Sequence, residues 1–158
     1  MKYLIWLLIG VIIGASGYWL FQQYNSTSVS LPVTRTILVY FNKSEPTDIV
    51  QVAVERDILK TGAVATAAIQ ELLKGPTASE KAEGLTTAVN AGTILNYVRI
   101  DKGIATVDFN EQFDFQMGGS ARVRAIYQQI FKTLTQFSTI KEIKLTINHG
   151  ERSANLEP

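Results

Sequence analysis

Residues 93–109, TILNYVRIDKGIATVDF, carry the pattern that decides the fold of this chain. Two runs rich in β-branched and aromatic residues, 93–100 and 104–109, stand on either side of Asp101-Lys102-Gly103. A three-residue loop that ends in glycine is typical of a β-hairpin, because glycine readily adopts the left-handed conformation that such a loop requires. In the second run, alternate residues are predicted to face a hydrophobic core: Ala105, Val107 and Phe109.

The other long elements are predicted in the same way on both sides of this hairpin. Residues 33–41, 49–57 and 141–148 alternate or are rich in β-branched residues, which indicates strands. Two further segments repeat apolar residues at helical spacing, one ending at Lys74-Gly75-Pro76 and one opening at Gly118-Gly119-Ser120. The first helix is predicted to bury Ala65, Ala68, Ile69 and Leu72. The predicted order is ββαββαβ, and elements with one apolar face each fit a two-layer α+β sandwich.

The N-terminal stretch 3–21, YLIWLLIGVIIGASGYWLF, contains no charged residue. A helix of that length spans roughly 28 Å, close to the ~30 Å hydrocarbon thickness of a bilayer. We therefore expect residues 1–24 to be a single transmembrane helix, with Lys2 in the cytoplasm and the rest of the chain outside it. The alternative is a cleaved signal peptide, for which Ala15-Ser16-Gly17 offers small residues, and the product would then be secreted.

Behind this stretch the chain is predicted to hold one exported domain. Residues 25–32, NSTSVSLP, are rich in Ser and Thr and end in Pro, which is typical of a short linker. The domain is expected to occupy residues 33–150, a length that suits a single core, and residues 151–158 are expected to form a tail.

The charge balance and the absence of cysteine exclude several classes of function. Removing Lys2 from the 15 basic residues leaves 14, against 14 acidic ones, so the exported part is neutral. A neutral domain is not expected to bind nucleic acid, which requires a basic surface. With no Cys, the chain has no disulfide, no thiolate metal site and no cysteine to carry a lipid.

Asp108, Glu111 and Asp114 form the densest group of carboxylates, at and just after the end of the predicted hairpin. Paired carboxylates can hydrolyse glycosidic bonds, and clustered ones can bind Ca²⁺, so these three residues are candidates for a ligand surface. Because Asp108 alternates with Val107 and Phe109, it is predicted to point into solvent as an ordinary strand residue.

His149 is the single histidine, and it follows the last predicted strand in Asn148-His149-Gly150. Serine and metal catalysis require a histidine with placed partners, whereas a lone histidine beside glycine is typical of a turn. We therefore expect no enzymatic activity, no catalytic residue, no cofactor and no bound metal.

Several short motifs match a known family in the same order along the chain. They are LLKGPT (72–77), GLTTAV (84–89), GT (92–93), ATVDFN (105–110) and TLTQF (133–137). With these motifs, residues 35–150 resemble the GerMN domain, which is found in GerM-type spore germination and sporulation proteins and in the lipoprotein LpqB. Five motif positions are expected to have structural roles: Gly75, Pro76, Gly84, Thr135 and Phe137.

The resemblance implies an envelope protein that is tethered to a membrane and displayed outside the cytoplasm. It also implies an α+β fold akin to ring-building domains, which pack against other envelope proteins or against further copies of themselves. The chain departs from the family pattern in two ways, because it carries one copy of the domain and lacks the lipobox cysteine. Since no cysteine can carry a lipid, the predicted helix is the only tether expected.

The function expected from the sequence is therefore a membrane-anchored, non-enzymatic interaction domain, linked to sporulation, germination or cell-wall processes. The alternative is a module that binds or hydrolyses peptidoglycan or another glycan through the region of residues 108–114.

Overall fold

The computed structural model describes residues 17–19, 21, 33–60 and 62–154. The chain divides into two compact units, Met1–Pro32 and Val33–Pro158, and the fold below is that of the second. Most of the predicted anchor lies outside the described residues, and its described part, 17–19 and 21, is helical. No helix within the described part of the chain is both long and apolar enough to cross a membrane. The predicted linker, 25–32, also lies outside the described residues.

The described residues of the second unit form seven strands and three α-helices. The strands are β1 (Thr34–Ser44), β2 (Ile49–Leu59), β3 (Leu85–Thr86), β4 (Leu95–Asp101), β5 (Ile104–Phe109), β6 (Glu142–Ile147) and β7 (Arg152–Ser153). The helices are α1 (Val64–Lys74), α2 (Ala78–Ala82) and α3 (Ser120–Thr135), and a 3-10 turn covers Glu111–Phe113.

The α+β class is confirmed, but the predicted order ββαββαβ is wrong. The short elements α2 and β3 lie between α1 and the hairpin, β7 follows the last predicted strand, and the strands form two sheets. One sheet has the order β2-β1-β3 and is antiparallel. The other has the order β4-β5-β6-β7, in which β5 and β6 are parallel and are connected through α3.

The hairpin of β4 and β5 has a tighter turn than the sequence predicts. Asp101 pairs directly with Ile104, so the loop is two residues long and not three. Lys102 and Gly103 have φ angles of +47° and +88°. Positive φ at both central residues is the geometry of a type I′ turn, whose twist matches that of the flanking strands.

Both sheets and two of the helices contribute to one hydrophobic core. The predicted stripe of α1 is confirmed, because Ala65, Ala68, Ile69 and Leu72 are all buried. The other main members of the core are Ile37, Val39 and Phe41 of β1, Val107 and Phe109 of β5, Ile126, Ile130 and Leu134 of α3, and Ile147 of β6.

Side chains of α3 and of Gln136, the residue directly after it, take the place of a strand along the edge of β1 that faces away from β2. The N–H of Leu38 donates to Oε1 of Gln136 at 2.9 Å, and Nε2 of Gln136 donates to the carbonyl of Leu38 at 2.6 Å. Two residues further along β1, the N–H of Tyr40 donates to Oγ1 of Thr133 at 3.1 Å. Because these peptide groups are already bonded to side chains, no strand of the described chain pairs with β1 there, and β3 pairs only with residues 42–43 near its end. This is the physical reason for two sheets.

Gln129 completes this contact from the centre of α3, where its side chain is fully buried. Its Oε1 accepts from Nδ2 of Asn42 and from the N–H of Ala88, both at 2.9 Å. Its Nε2 donates to the carbonyl of Tyr40 at 3.2 Å and to Oγ1 of Thr87 at 3.3 Å. The amide thus uses both donors and both acceptor positions, and it joins three segments of the chain.

Arg56 of β2 holds the short helix α2 through Glu80. Its guanidinium donates two hydrogen bonds to the Glu80 carboxylate, at 2.7 and 2.6 Å. Glu80 also accepts from the N–H of Thr77, while Thr77 Oγ1 accepts from the N–H of Glu80, which is a capping box. The hydrogen bonds from Arg56 are the main reason that the pKa of Glu80 falls to about 2.

Replacing Gln129 by Met should lower the free energy of unfolding by about 3 kcal/mol, because buried donors and acceptors at Asn42, Ala88 and Tyr40 lose their partners. Urea denaturation monitored by circular dichroism measures the change. Gln128→Met is the matched control, since Gln128 is half-buried on the same helix. Equal stability losses in the two variants would contradict the role given to Gln129.

Replacing Arg56 by Met should raise the pKa of Glu80 from about 2 toward 4.5. Because the folded-state pKa is depressed, the stabilisation from this ion pair is complete above about pH 4.5 and is lost as the pH falls toward 2. Titration of the Glu80 side-chain carboxyl by ¹³C NMR, in the wild type and in the variant, measures both values. An unchanged Glu80 pKa in the variant would show that Arg56 is not the cause.

Candidate functional site

The three carboxylates singled out from the sequence surround the turn that follows β6. Asp108 lies on β5 and is fully buried, so the prediction that it points into solvent is wrong. The reason is its position in the sheet, because β5 lies between β4 and β6 and the backbone of the turn folds over the carboxylate. Alternation along one strand cannot show that a later segment covers its second face.

Four donors reach the Asp108 carboxylate from three directions. Asn96 Nδ2 donates from β4 at 2.8 Å, and Thr146 Oγ1 donates from β6 at 2.6 Å. The N–H groups of His149 and Gly150 donate from the turn, at 2.7 and 2.8 Å. Each carboxylate oxygen therefore accepts two hydrogen bonds, which is close to the full capacity of the group.

The ionised form of Asp108 is the stable one in this setting. Burial acts to raise its pKa, but the hydrogen bonds from Thr146, Asn96 and the two backbone N–H groups outweigh burial and hold the pKa below its ordinary value. A carboxylate with this many donors stabilises the surrounding fold and has little capacity left for a ligand.

The turn that Asp108 holds has an unusual backbone. Asn148, His149 and Gly150 have successive φ angles of +50°, +61° and +85°. Left-handed conformations at Asn and His are less favourable than at Gly, and they persist where surrounding contacts hold them. The side chain of His149 is exposed, and its contact with Asp108 is made by the backbone N–H.

Glu111 and Asp114 bind the same segment through other residues. Oε1 of Glu111 accepts from Nδ2 of Asn148 at 2.9 Å. Asp114 accepts two hydrogen bonds from the guanidinium of Arg152, at the start of β7. All three carboxylates therefore bind residues 148–152 and hold this segment against the rest of the domain. We call the three carboxylates together with residues 148–152 the clasp.

Two grooves of the domain lie away from this clasp. One of about 500 Å³ lies between the tip of the β1–β2 hairpin and α3, and its lining includes Asp48, Gln51 and Arg124. A second of about 390 Å³ is lined by residues that include Arg35, Ile100 and Phe137. Neither groove is lined by any of the three carboxylates.

The family-motif residues near α1 lie at turns. Gly75 follows the last residue of α1 with a φ of +75°, and its N–H donates to the carbonyl of Leu72. Pro76 is buried directly behind it. Gly84 has a φ of +88° and leads from α2 into β3.

The motif residues at the end of α3 lie near the start of β1. Thr135 Oγ1 donates to the carbonyl of Phe131, one turn earlier in the helix, at 2.8 Å. Phe137 is half-buried against the core, and the guanidinium of Arg35 lies 6.0 Å from the centre of its ring. The contact of Arg35 with Phe137 links the residues directly after α3 to the start of β1.

Sequence alone assigns no role to Gln129, Thr133 or Gln136, which make the main polar contact between α3 and β1. The signal that was available is their spacing, because positions i, i+4 and i+7 lie on one face of a helix. Polar residues in such a row beside an apolar stripe normally face solvent, so the pattern does not identify them as buried partners of a strand.

Comparison with known proteins gives a consistent picture of the domain. The family model described as "Germane: Sporulation and spore germination" matches residues 38–152. The first GerMN domain of the sporulation protein GerM from Bacillus subtilis is 32% identical, with a TM-score of 0.56, over 76% of this chain and 86% of that chain. No curated protein matches the chain significantly.

Two further solved structures share the fold. The tandem GerMN domains of the same Bacillus subtilis protein are 25% identical, with a TM-score of 0.62, over 78% of this chain. The match covers 43% of the tandem structure, so this chain spans less than half of its length. A protein from Clostridium perfringens described as a lipoprotein is 19% identical, with a TM-score of 0.52 over 80% of this chain and 85% of that chain, and it shows the fold alone.

Replacing Asp108 by Asn should destabilise the fold by about 3 kcal/mol at neutral pH, because an amide NH₂ then faces donors that now bond to a carboxylate. The exposed Asp101→Asn is the matched control and should have almost no effect. Hydrogen exchange should show that the N–H groups of His149 and Gly150 lose protection in the Asp108 variant. Retained protection would show that the turn does not depend on the carboxylate.

The difference between wild type and Asp108→Asn should shrink in acid. Because the pKa of Asp108 is lower in the folded state, its stabilisation is present above its unfolded-state pKa and is lost as the pH falls through the folded value. Urea denaturation of both proteins between neutral pH and pH values below the ordinary Asp pKa measures this. A difference that stays constant over this range would contradict the assignment.

Proposed function

Since this chain belongs to the GerMN domain family of sporulation and spore germination proteins, we propose that it is a membrane-tethered envelope protein whose domain binds other proteins. The family and its solved members are non-enzymatic, so binding is the activity to be explained. The proposed tether is the apolar stretch 3–21, and the proposed location of the domain is outside the cytoplasm.

The observation that carries this proposal is the exposed edge of β2. The strand is 11 residues long, about twice the usual length of ~5–6 residues. Within the described residues it pairs with β1 alone, and its outer side faces solvent. Natural proteins normally shorten or cover an edge strand, because its free peptide groups pair readily with another chain. A long exposed edge strand therefore favours a docking function.

The membrane tether is supported by the sequence. Residues 3–21 have the length and composition of a single span, and the chain has no cysteine that could carry a lipid instead. With this tether, the protein would stay bound to the membrane. Without it, as after signal cleavage, the same domain would act as a secreted binding module.

The wall-binding alternative gains no support from the geometry. Asp108, Glu111 and Asp114 were its candidate ligands, and each accepts hydrogen bonds from residues 148–152. A glycan would have to displace those contacts before it could bind. We therefore propose protein binding and not glycan binding or hydrolysis.

Site-specific photo-cross-linking in native membranes tests the proposal. A photo-cross-linking amino acid in place of Ala53, on the exposed edge of β2, should give a discrete adduct with another protein. The same amino acid in place of Lys102, at the exposed tip of the other sheet, is the control and should give none. Absence of any adduct from position 53, with the protein monomeric in detergent, would overturn the binding function.

Fractionation tests the tether separately. The full-length protein should remain in the membrane fraction after an alkaline carbonate wash, which removes proteins that do not span the bilayer. A soluble mature protein that begins at Tyr18 would show that the N-terminal stretch is a cleaved signal, and the anchor would then be rejected.

A further inference from the structure

The direction of every peptide group in β2 follows from the hydrogen bonds at the two ends of its pairing with β1. Lys60 N–H donates to the carbonyl of Val33 at 2.8 Å, and at the other end Glu45 and Asp48 exchange both of their hydrogen bonds. The register between these ends is continuous, without a bulge. Bonded and non-bonded pairs alternate in an antiparallel ladder. The even-numbered residues of β2 therefore bond to β1, and the odd-numbered residues direct their N–H and C=O groups outward.

The contacts of the odd-numbered residues agree with this assignment. The N–H of Ile49 donates to its neighbour Asp48 at 2.7 Å, and the carbonyl of Ile49 accepts from Nε2 of Gln51 at 3.4 Å. The carbonyl of Glu55 accepts from Arg56 at 3.0 Å. Side chains thus cover the start of the edge and one carbonyl. Among the described residues, no partner reaches the outward peptide groups of Gln51, Ala53 and Asp57 or the N–H of Glu55.

The two faces beside this open edge differ in chemistry. Glu55 and Asp57 are exposed on one face, where Asp57 accepts a hydrogen bond from the neutral hydroxyl of Thr36. The single basic residue of β2, Arg56, lies on the other face and binds Glu80. The first face is therefore acidic and has no neutralising charge from β2 itself. On the opposite face, Arg56 is followed toward the start of β2 by two partly buried apolar side chains, Val54 and Val52.

These features define the kind of strand that would fit. This inference rests on the proposed binding function. We propose that β2 binds, by strand addition, an extended segment of another protein in which basic and apolar residues alternate. The backbone of that segment pairs with residues 51–57, its basic side chains lie opposite Glu55 and Asp57, and its apolar side chains extend the face of Val52 and Val54.

A second copy of this chain fits the edge less well. Its own β2 would bring the same two carboxylates, and its single basic residue is on the other face and already paired with Glu80. Like charges that face each other across a strand pair are destabilising. The acidic edge therefore favours a different, basic partner over self-association.

Peptide binding to the purified full-length protein in detergent micelles tests the proposal. The probe is a fluorescent peptide that alternates Lys and Val, and the matched control peptide alternates Glu and Val. Fluorescence anisotropy should show at least about tenfold tighter binding of the Lys–Val peptide. Replacing both Glu55 and Asp57 by Lys should reverse that preference. Equal affinities for the two peptides in the wild type would overturn the proposal.

A backbone variant separates strand addition from simple charge attraction. Ala53→Pro removes an outward N–H that makes no bond to β1, so the fold is kept while one docking bond is lost. Ala53→Thr keeps the N–H and is the matched control. The Pro variant should bind the Lys–Val peptide at least about tenfold more weakly, with the urea midpoints of both variants close to that of the wild type. Equal peptide binding by the two variants would overturn strand addition.

Failure of this proposal can be distinguished from failure of the proposed binding function. If position 53 cross-links to a protein in membranes but the Lys–Val peptide does not bind, the proposal of a basic partner strand is overturned and the proposed binding function stands. If wild-type protein self-associates in analytical ultracentrifugation and Ala53→Pro does not, the occupant of the edge is a second copy and this proposal is overturned.

Discussion

The buried amide of Gln129 is the contact on which the arrangement of this domain depends. Its four hydrogen bonds join α3 to β1 and to the loop at Thr87 and Ala88. The hydrogen bonds of a fully satisfied buried amide add only modestly to stability, because they replace hydrogen bonds to water in the unfolded chain. Leaving the partners of that amide unsatisfied in the core is costly. Alternative placements of α3 would leave those groups unpaired in the core. The amide therefore specifies one position of the helix against the sheet, which the apolar residues around it would not do alone.

Asp108 plays a comparable part in the second sheet. Its carboxylate holds strands β4 and β6 and two N–H groups of a turn with left-handed residues. Both residues are polar groups in a core, and both are acceptable there because every lone pair finds a donor. The carboxylates of this region therefore stabilise the domain, and the binding surface that we propose lies elsewhere, at the edge of β2.

The contact of α3 with β1 also determines which edge is left for binding. β1 is bonded on one side to β2 and on the other to the side chains of α3 and to β3, so it offers no free peptide groups along its centre. The first sheet therefore cannot grow at β1, and its long free edge is β2. Acidic side chains lie along that edge, and charged side chains are a common protection of edge strands against non-specific pairing.

The sequence by itself determined the α+β class, the positions of the long strands and helices and the core stripe of α1, because those depend on local periodicity and turn chemistry. The family followed separately, from the resemblance of the chain's short motifs to the GerMN domain. The sequence did not determine the division into two sheets, the short turn at Lys102, or the burial of Asp108. Those features depend on groups far apart in the chain, such as Gln136 with Leu38 and Asp108 with Thr146, which only the tertiary structure brings together. A polar residue on a strand or helix looks the same in sequence whether it faces water or a buried partner.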